Sequence, residues 1–204
     1  MKNFDFNWCV SFLERHGKKL FGPSFLIRRE DHPVIRKLLV YFLQLESEAM
    51  ALGIDLAKGI LLSGPVGCGK TALMTLMNYI PGPGRNYTVR PCRDVSLDFI
   101  QDGYEVIGRY SKFSYNGSTP KIYCFDDLGA ERNFKYFGND CNVMGEILLS
   151  RYDMFVSQGM VTHITTNLPA GLLEKTYGDR VRSRLREQMN LIAFEEKTPD
   201  KRGK

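Results

Sequence analysis

"GILLSGPVGCGKTALMTLMNYI", residues 59–80, is the stretch whose reading decides the fold. It opens on a short β-rich run, GILLS, and closes in a helical stretch that begins at Lys70. Between them GPVGCGKT, Gly64 to Thr71, satisfies G-x-x-x-x-G-K-[ST] without exception. Gly64, Gly67 and Gly69 let the backbone turn tightly, and with Pro65, Val66 and Cys68 they form a loop whose N–H groups face one point. The following helix brings its partial positive end to the same point, so the loop reads as a phosphate cradle. Lys70 then reaches the β- and γ-phosphates as a point charge, and Thr71 offers its hydroxyl to Mg²⁺. Nothing near Cys68 in sequence marks a lowered thiol pKa, so it reads as filler rather than as a redox centre.

Outward from this stretch the pattern repeats. NYTVRP at 86–91, KIYCFDD at 121–127, MVTHITT at 160–166 and NLIAFEE at 190–196 are β-rich runs alternating with helical stretches, which implies an α/β fold with a parallel sheet covered on both faces. PGPG at 81–84 and YNGSTP at 115–120 read as turns. Before the cradle, residues 4–23 read as a helix stopped by Gly22-Pro23. A second helix is expected from Asp31 as its cap, with Pro33 in the first turn and a stripe of Ile35, Leu38, Leu39, Phe42 and Leu45 running until Gly53. The expected division is a helical extension, 1–54, and an α/β domain, 55–204, with a charged, loosely held end.

Bulk composition narrows the function classes. A chain of 204 residues suits one well-buried α/β domain. Lys plus Arg number 28 against 23 acids, and the formal charge of +5 is compatible with a phosphate-rich partner without requiring one. The five cysteines are far apart with no C-x-x-C spacing and there are three histidines, which argues against zinc and against a disulfide framework. No apolar run approaches the ~20 residues that span a bilayer. The start, MKNFDFNWCV, lacks a secretory pattern, so the expectation is a cytoplasmic protein with no membrane partner.

Hydrolysis needs more than a cradle. In KIYCFDDLGAE, Asp126 and Asp127 fall at the carboxyl end of a strand, where open α/β sheets place their ligand crevice. Neighbours on a strand alternate in direction, so the two acids divide the work: Asp126 for the Mg²⁺ shell, Asp127 to orient or deprotonate the attacking water. Asn167 ends the next apolar strand, where its amide can donate to a γ-phosphate oxygen or hold the water. His163, inside that strand, reads as structural.

Together GPVGCGKT, CFDDLGAE and THITTNLP, followed by YGDRVRSRLRE at 177–187, resemble the AAA+ ATPases of the DnaC/IstB-like group, replicative-helicase loaders and the ATPase helpers of transposition. The likeness covers roughly residues 55 to 202. It implies a P-loop three-layer sandwich with a five-stranded parallel sheet in the order 5-1-4-3-2. It also implies Walker A at Lys70 and Thr71, Walker B at Asp126 and Asp127, and sensor 1 at Asn167. Arg184 resembles the arginine finger that enters a neighbouring copy's ATP site, with Arg180 next, and Arg202 resembles the arginine after the last strand. On a helix Arg180 and Arg184 lie on one side of the stripe Val181, Leu185 and Met189, and Arg182 and Arg186 on the other.

The sequence departs from the wider AAA+ pattern in leaving no room after NLIAFEE for a full C-terminal lid, and it has no large partner-binding domain before the cradle. Arg93, Arg109, Tyr110, Lys112 and Tyr115, with Lys135, interleave cations and tyrosines in a way that suits unpaired nucleic acid or an ordinary solvated helix. Arg151 reads as a surface ion pair or an interface residue. The resulting expectation is an ATP- and Mg²⁺-using ATPase that self-associates through its nucleotide sites. It would bind DNA, single-stranded by this reading, beside a replicative helicase or a transposase. The alternatives are a ring helicase of viral or plasmid type, a P-loop small-molecule kinase, and a non-hydrolysing ATP switch.

Overall fold

The computed structural model describes residues 4–80, 86–131, 134–136 and 139–202, of which 134–136 and 139–140 as backbone alone. The PGPG turn and the Lys135 side chain lie outside the described residues. Five strands build one parallel sheet: β1 Gly59–Ser63, β2 Tyr87–Pro91, β3 Ile122–Leu128, β4 Thr162–Thr166 and β5 Met189–Ala193. Across the sheet they run β5-β1-β4-β3-β2. Two short antiparallel hairpins, Tyr115–Asn116 with Thr119–Pro120 and Phe134–Tyr136 with Asn139–Cys141, also belong to the described strands. Counted with them, the sheet reads 2-5-8-1-9, which differs from the expected numbering only because the hairpins occupy numbers in between.

Alternation along β1 builds the layers. Ile60 and Leu62 enter one apolar cluster, and Leu61 enters the other. The first cluster takes side chains from α1 (Phe6–Phe21), α2 (His32–Phe42) and α4 (Lys70–Met77), so Leu13, Ile35 and Met74 share one core with the sheet. The second takes side chains from α5 (Cys92–Asp102), α6 (Glu105–Tyr110), α7 (Val143–Gln158) and α8 (Ala170–Gln188). Asp5 caps α1 by accepting from Trp8 N–H at 3.0 Å. Gly159, in the left-handed region, ends α7.

Three sequence expectations are corrected. The second helix is broken: α2 stops at Phe42, and α3 restarts at Glu46–Ala51. Asp31 does not cap α2 with its side chain, because its carboxylate is engaged by Lys201. Arg151 is not on the surface; it is 0% exposed. Its Nε donates to Thr162 Oγ1 at 2.6 Å, Nη1 to the Tyr110 carbonyl at 2.8 Å, and Nη2 to the Lys121 and Val161 carbonyls at 3.0 and 2.8 Å. The guanidinium lies over the Tyr123 and Phe125 rings, and burial lowers its pKa to about 10.

His163 is buried as expected. Its Nδ1 accepts from Ile60 N–H at 3.1 Å, and the Tyr41, Phe42 and Tyr87 rings surround it.

Candidate active site

The cradle follows from strand β1 delivering its chain into a helix start. Gly67 and Gly69 take φ of +77° and +101°, a region that costs residues with a Cβ, and Gly69 stands immediately before α4. Lys70 is buried, and its ammonium donates to the Gly64 and Pro65 carbonyls at 2.8 and 2.9 Å, which places the charge inside the loop. Val66 is exposed at the tip. Cys68 is buried and burial raises its thiol pKa against the lowering effect of Lys70, which disfavours a reactive thiolate.

Beside the cradle lies the end of β3. Thr71 Oγ1 faces both Asp126 carboxylate oxygens at 3.0 and 2.9 Å, so residues 55 positions apart meet. Asp126 also accepts from Thr165 Oγ1 at 2.6 Å. The strand is irregular here: its register against β4 shifts between Phe125 and Leu128, and Asp127 sits at φ +55°. A bulge breaks regular alternation, and a non-glycine residue held in the left-handed region is a cost that clusters at functional sites. Asp127 is half-buried, and its N–H donates to Thr165 Oγ1 at 2.9 Å. Asn167, one residue beyond β4, is exposed.

The arginine helix is less regular than its sequence suggests. Gly178 carries non-helical angles, φ 82° and ψ 164°, so α8 is two helical pieces joined at a kink. Val181 and Leu185 are buried as the stripe requires, but Met189 already belongs to β5. Arg182 pairs with Glu174, and with Arg186 it borders an apolar recess of about 330 Å³ beside Leu185, Met189 and Leu191. Arg180 is exposed. Arg184 lies 4.9 Å from the Tyr152 ring centre, and its enclosed Nε has no hydrogen-bond partner among the described residues. Arg202 is exposed, and its backbone N–H donates to Asp200 Oδ1 at 2.8 Å.

Solved structures share this arrangement of sheet and helices. The DnaC helicase loader aligns with a TM-score of 0.59 at 17% identity, over 83% of this chain and 92% of that one. DnaI aligns at 0.54 and 20% identity, over 89% and 94%. The replication initiator DnaA bound to AMPPCP and single-stranded DNA aligns at 0.53 and 16% identity, over 85% and 49%. No protein-family model matches the sequence, and no curated protein matches it. The chain shares the fold of the DnaC helicase loader and of DnaI. Within that fold the cradle, the paired acids and the strand-end Asn167 all lie at the carboxyl edge of β1, β3 and β4.

The same edge holds further residues that no sequence motif marks. Thr165 bridges the two acids, donating to Asp126 and accepting from Asp127 N–H. Thr166 Oγ1 donates to the Leu128 carbonyl at 2.7 Å and accepts from Leu168 N–H at 3.0 Å, which holds the loop that carries Asn167. Glu131 accepts from Gly129 N–H at 2.9 Å and from the buried Tyr177 hydroxyl, so the loop after Asp127 is tied to the first piece of α8. Burial, then the Glu131 charge, raises the Tyr177 pKa. The run TTNLP was the available signal for the threonines; nothing local pointed to Glu131.

The donor set suits a hard divalent cation, since a hydroxyl and a buried carboxylate stand together with a third oxygen behind them. Burial is the main cause that raises the Asp126 pKa, while the Thr165 and Thr71 hydrogen bonds pull it down. A carboxyl raised on folding contributes stability below its unfolded pKa, and that stability is lost as pH rises through the folded value. At neutral pH the ionised Asp126 is therefore a cost to the ligand-free fold. Asp126→Asn should raise the ligand-free Tm at pH 7, read by thermal unfolding across pH. The gain should vanish below the ordinary aspartate range; a Tm that falls at pH 7 contradicts this account.

The tyrosines named for nucleic acid are largely engaged. Tyr110 is buried, donates to Asp98 at 2.8 Å and accepts from Arg90. Tyr115 bonds Gln158, and Arg109 pairs with Asp102 at 2.7 Å. Arg93 is exposed, and Lys112 lies 4.9 Å from the ring centre of Phe113, itself 73% exposed. No described helix is long and apolar enough to cross a membrane.

Proposed function

We propose that the chain is a Mg²⁺-dependent ATPase that assembles through its nucleotide sites and binds DNA in an ATP-dependent way, in helicase loading or transposition. The observation that carries this reading is the meeting of Thr71 and Asp126 at 2.9 Å beside the Lys70 cradle, because a phosphate nest and a cation-binding carboxylate are together what ATP hydrolysis needs. Thr71 and Asp126 would hold Mg²⁺, which neutralises phosphate charge when bound. Lys70 binds the β- and γ-phosphates, Asp127 orients the water and takes its proton, and Asn167 holds the γ-phosphate or the water. Bond formation from water oxygen to the γ-phosphorus and cleavage of the β–γ bridge give ADP and phosphate. Arg184, with Arg180 as second candidate, serves the neighbouring copy's site, and Arg202 serves the nucleotide of its own. The names of the structural neighbours, a helicase loader and an initiator bound to a nucleotide analogue and single-stranded DNA, support placing the activity in replication.

The test is ATP turnover by the purified chain with and without single-stranded DNA. Turnover that needs Mg²⁺ and rises several-fold with DNA is expected. DNA-indifferent phosphoryl transfer to a small acceptor would instead mark a kinase, unwinding of a forked duplex a ring helicase, and ATP binding without turnover a switch.

A further inference from the structure

Residues 198–202 fold back from β5 and reach the outside of the cradle. The Lys201 N–H donates to the Gly67 carbonyl at 3.0 Å. Its ammonium donates to the Cys68 carbonyl at 2.7 Å and to both oxygens of Asp31 at 2.6 and 2.7 Å. Three segments far apart in sequence thus meet at one cation, whose side chain is 18% exposed against 5% for Asp31. Gly67 is held in the left-handed region at φ +77°, and a Cβ there would stand 1.9 Å from Asp200 Oδ1, the end of an exposed side chain that would have to turn away.

Peptide planarity makes this contact consequential. In a trans peptide the carbonyl of one residue and the N–H of the next point in opposite directions. Holding the Cys68 carbonyl from outside therefore turns the Gly69 N–H to the other side, where the cradle requires a donor, while the Cys68 N–H closes the loop on the Pro65 carbonyl at 3.4 Å. Lys201 also offsets the Asp31 charge, which would otherwise stand buried and unpaired beside a site for anions.

We propose that Lys201, anchored by Asp31, is a positioning residue that clasps the P-loop in its phosphate-binding shape. This rests on the ATPase reading above and adds to it a residue that grips the loop without touching the nucleotide. A clasp of this kind acts on affinity, because the loop must be ordered at binding once the clasp is gone.

The experiment measures ATP–Mg²⁺ binding by calorimetry, turnover at saturating ATP, and the nucleotide-free Tm for the full chain and its variants. Lys201→Ala should weaken ATP binding by roughly tenfold or more, the loss expected for a charge-assisted hydrogen bond, with saturated turnover changed by about twofold at most. Lys201→Arg should recover most of the affinity. The double variant Asp31→Asn with Lys201→Ala removes the charge imbalance without restoring the grip, so it should remain weak; full affinity in it overturns the clasp and leaves only an ion pair. Wild-type affinity in Lys201→Ala, with Lys70→Ala unable to bind, overturns the clasp alone. A loss that merely follows the unfolded fraction given by Tm also overturns it. A wild-type chain that binds no ATP overturns the ATPase reading and the clasp with it.

Discussion

Arg184→Ala is expected to lower ATP turnover by on the order of 10³-fold while leaving ATP binding near that of the unaltered chain, the signature of a cation that acts only as charge builds on the transferred phosphoryl. The four arginines of the terminal helix differ in their surroundings. Arg182 is paired with Glu174, and it and Arg186 border the apolar recess against β5. Arg184 stands on the opposite edge, its guanidinium over Tyr152 and its Nε without a hydrogen-bond partner among the described residues, so a strong donor is set in place on an aromatic support. Tyr152 is itself oriented by its bond to Glu187 at 2.7 Å. Steady-state hydrolysis with ATP titration makes the comparison. If Arg184→Ala keeps its turnover and Arg180→Ala loses it, the assignment moves one helical turn. If neither loses it, the helix supplies no finger.

The largest effect on stability belongs to a residue with no part in the chemistry. Arg151→Met should destabilise the fold by about 2–4 kcal/mol, because it leaves several buried neutral acceptors without a donor and each unsatisfied group costs ~1–3 kcal/mol before relaxation. Its four donated bonds tie α7 to the end of α6 and to the starts of β3 and β4, and all its acceptors are neutral oxygens. Methionine fills much of the volume but leaves three carbonyls and a hydroxyl to find other partners. Lysine keeps the charge without the planar fork, so Arg151→Lys should also lose most of that stability. Urea unfolding checks both variants; a loss under ~1 kcal/mol in Arg151→Met shows that the buried guanidinium is dispensable.

How much of this was legible in the sequence depended on whether the cause was local. The strands, the cradle and the paired acids could be read because each is a contiguous pattern whose period or glycine spacing fixes its geometry. The break at 43–45 could not, since the apolar stripe carries on through Leu45. Gly178 lay inside an apparently continuous arginine helix, and only its backbone angles show the kink. Asp31 had every mark of a cap, but its partner stands 170 residues away. Arg151 looked like a surface cation because an arginine on a helix normally is one; the three backbone carbonyls that hold it carry no signature in side-chain identity. In the site, Asp126 was assigned to the cation from its place at a strand end. The bulge and the φ of +55° at Asp127 depend on pairing with β4 and were invisible beforehand.

The central claim is that one ATP site is built by two copies of the chain, and mixing two inactive variants tests it most directly. Arg184→Ala retains an intact cradle, and Lys70→Ala retains an intact arginine helix. Combined in equal amounts, with co-assembly shown by sizing in the presence of ATP, they should regain a measurable part of the wild-type turnover that neither has alone. Co-assembled mixtures that stay as inactive as their components would contradict it.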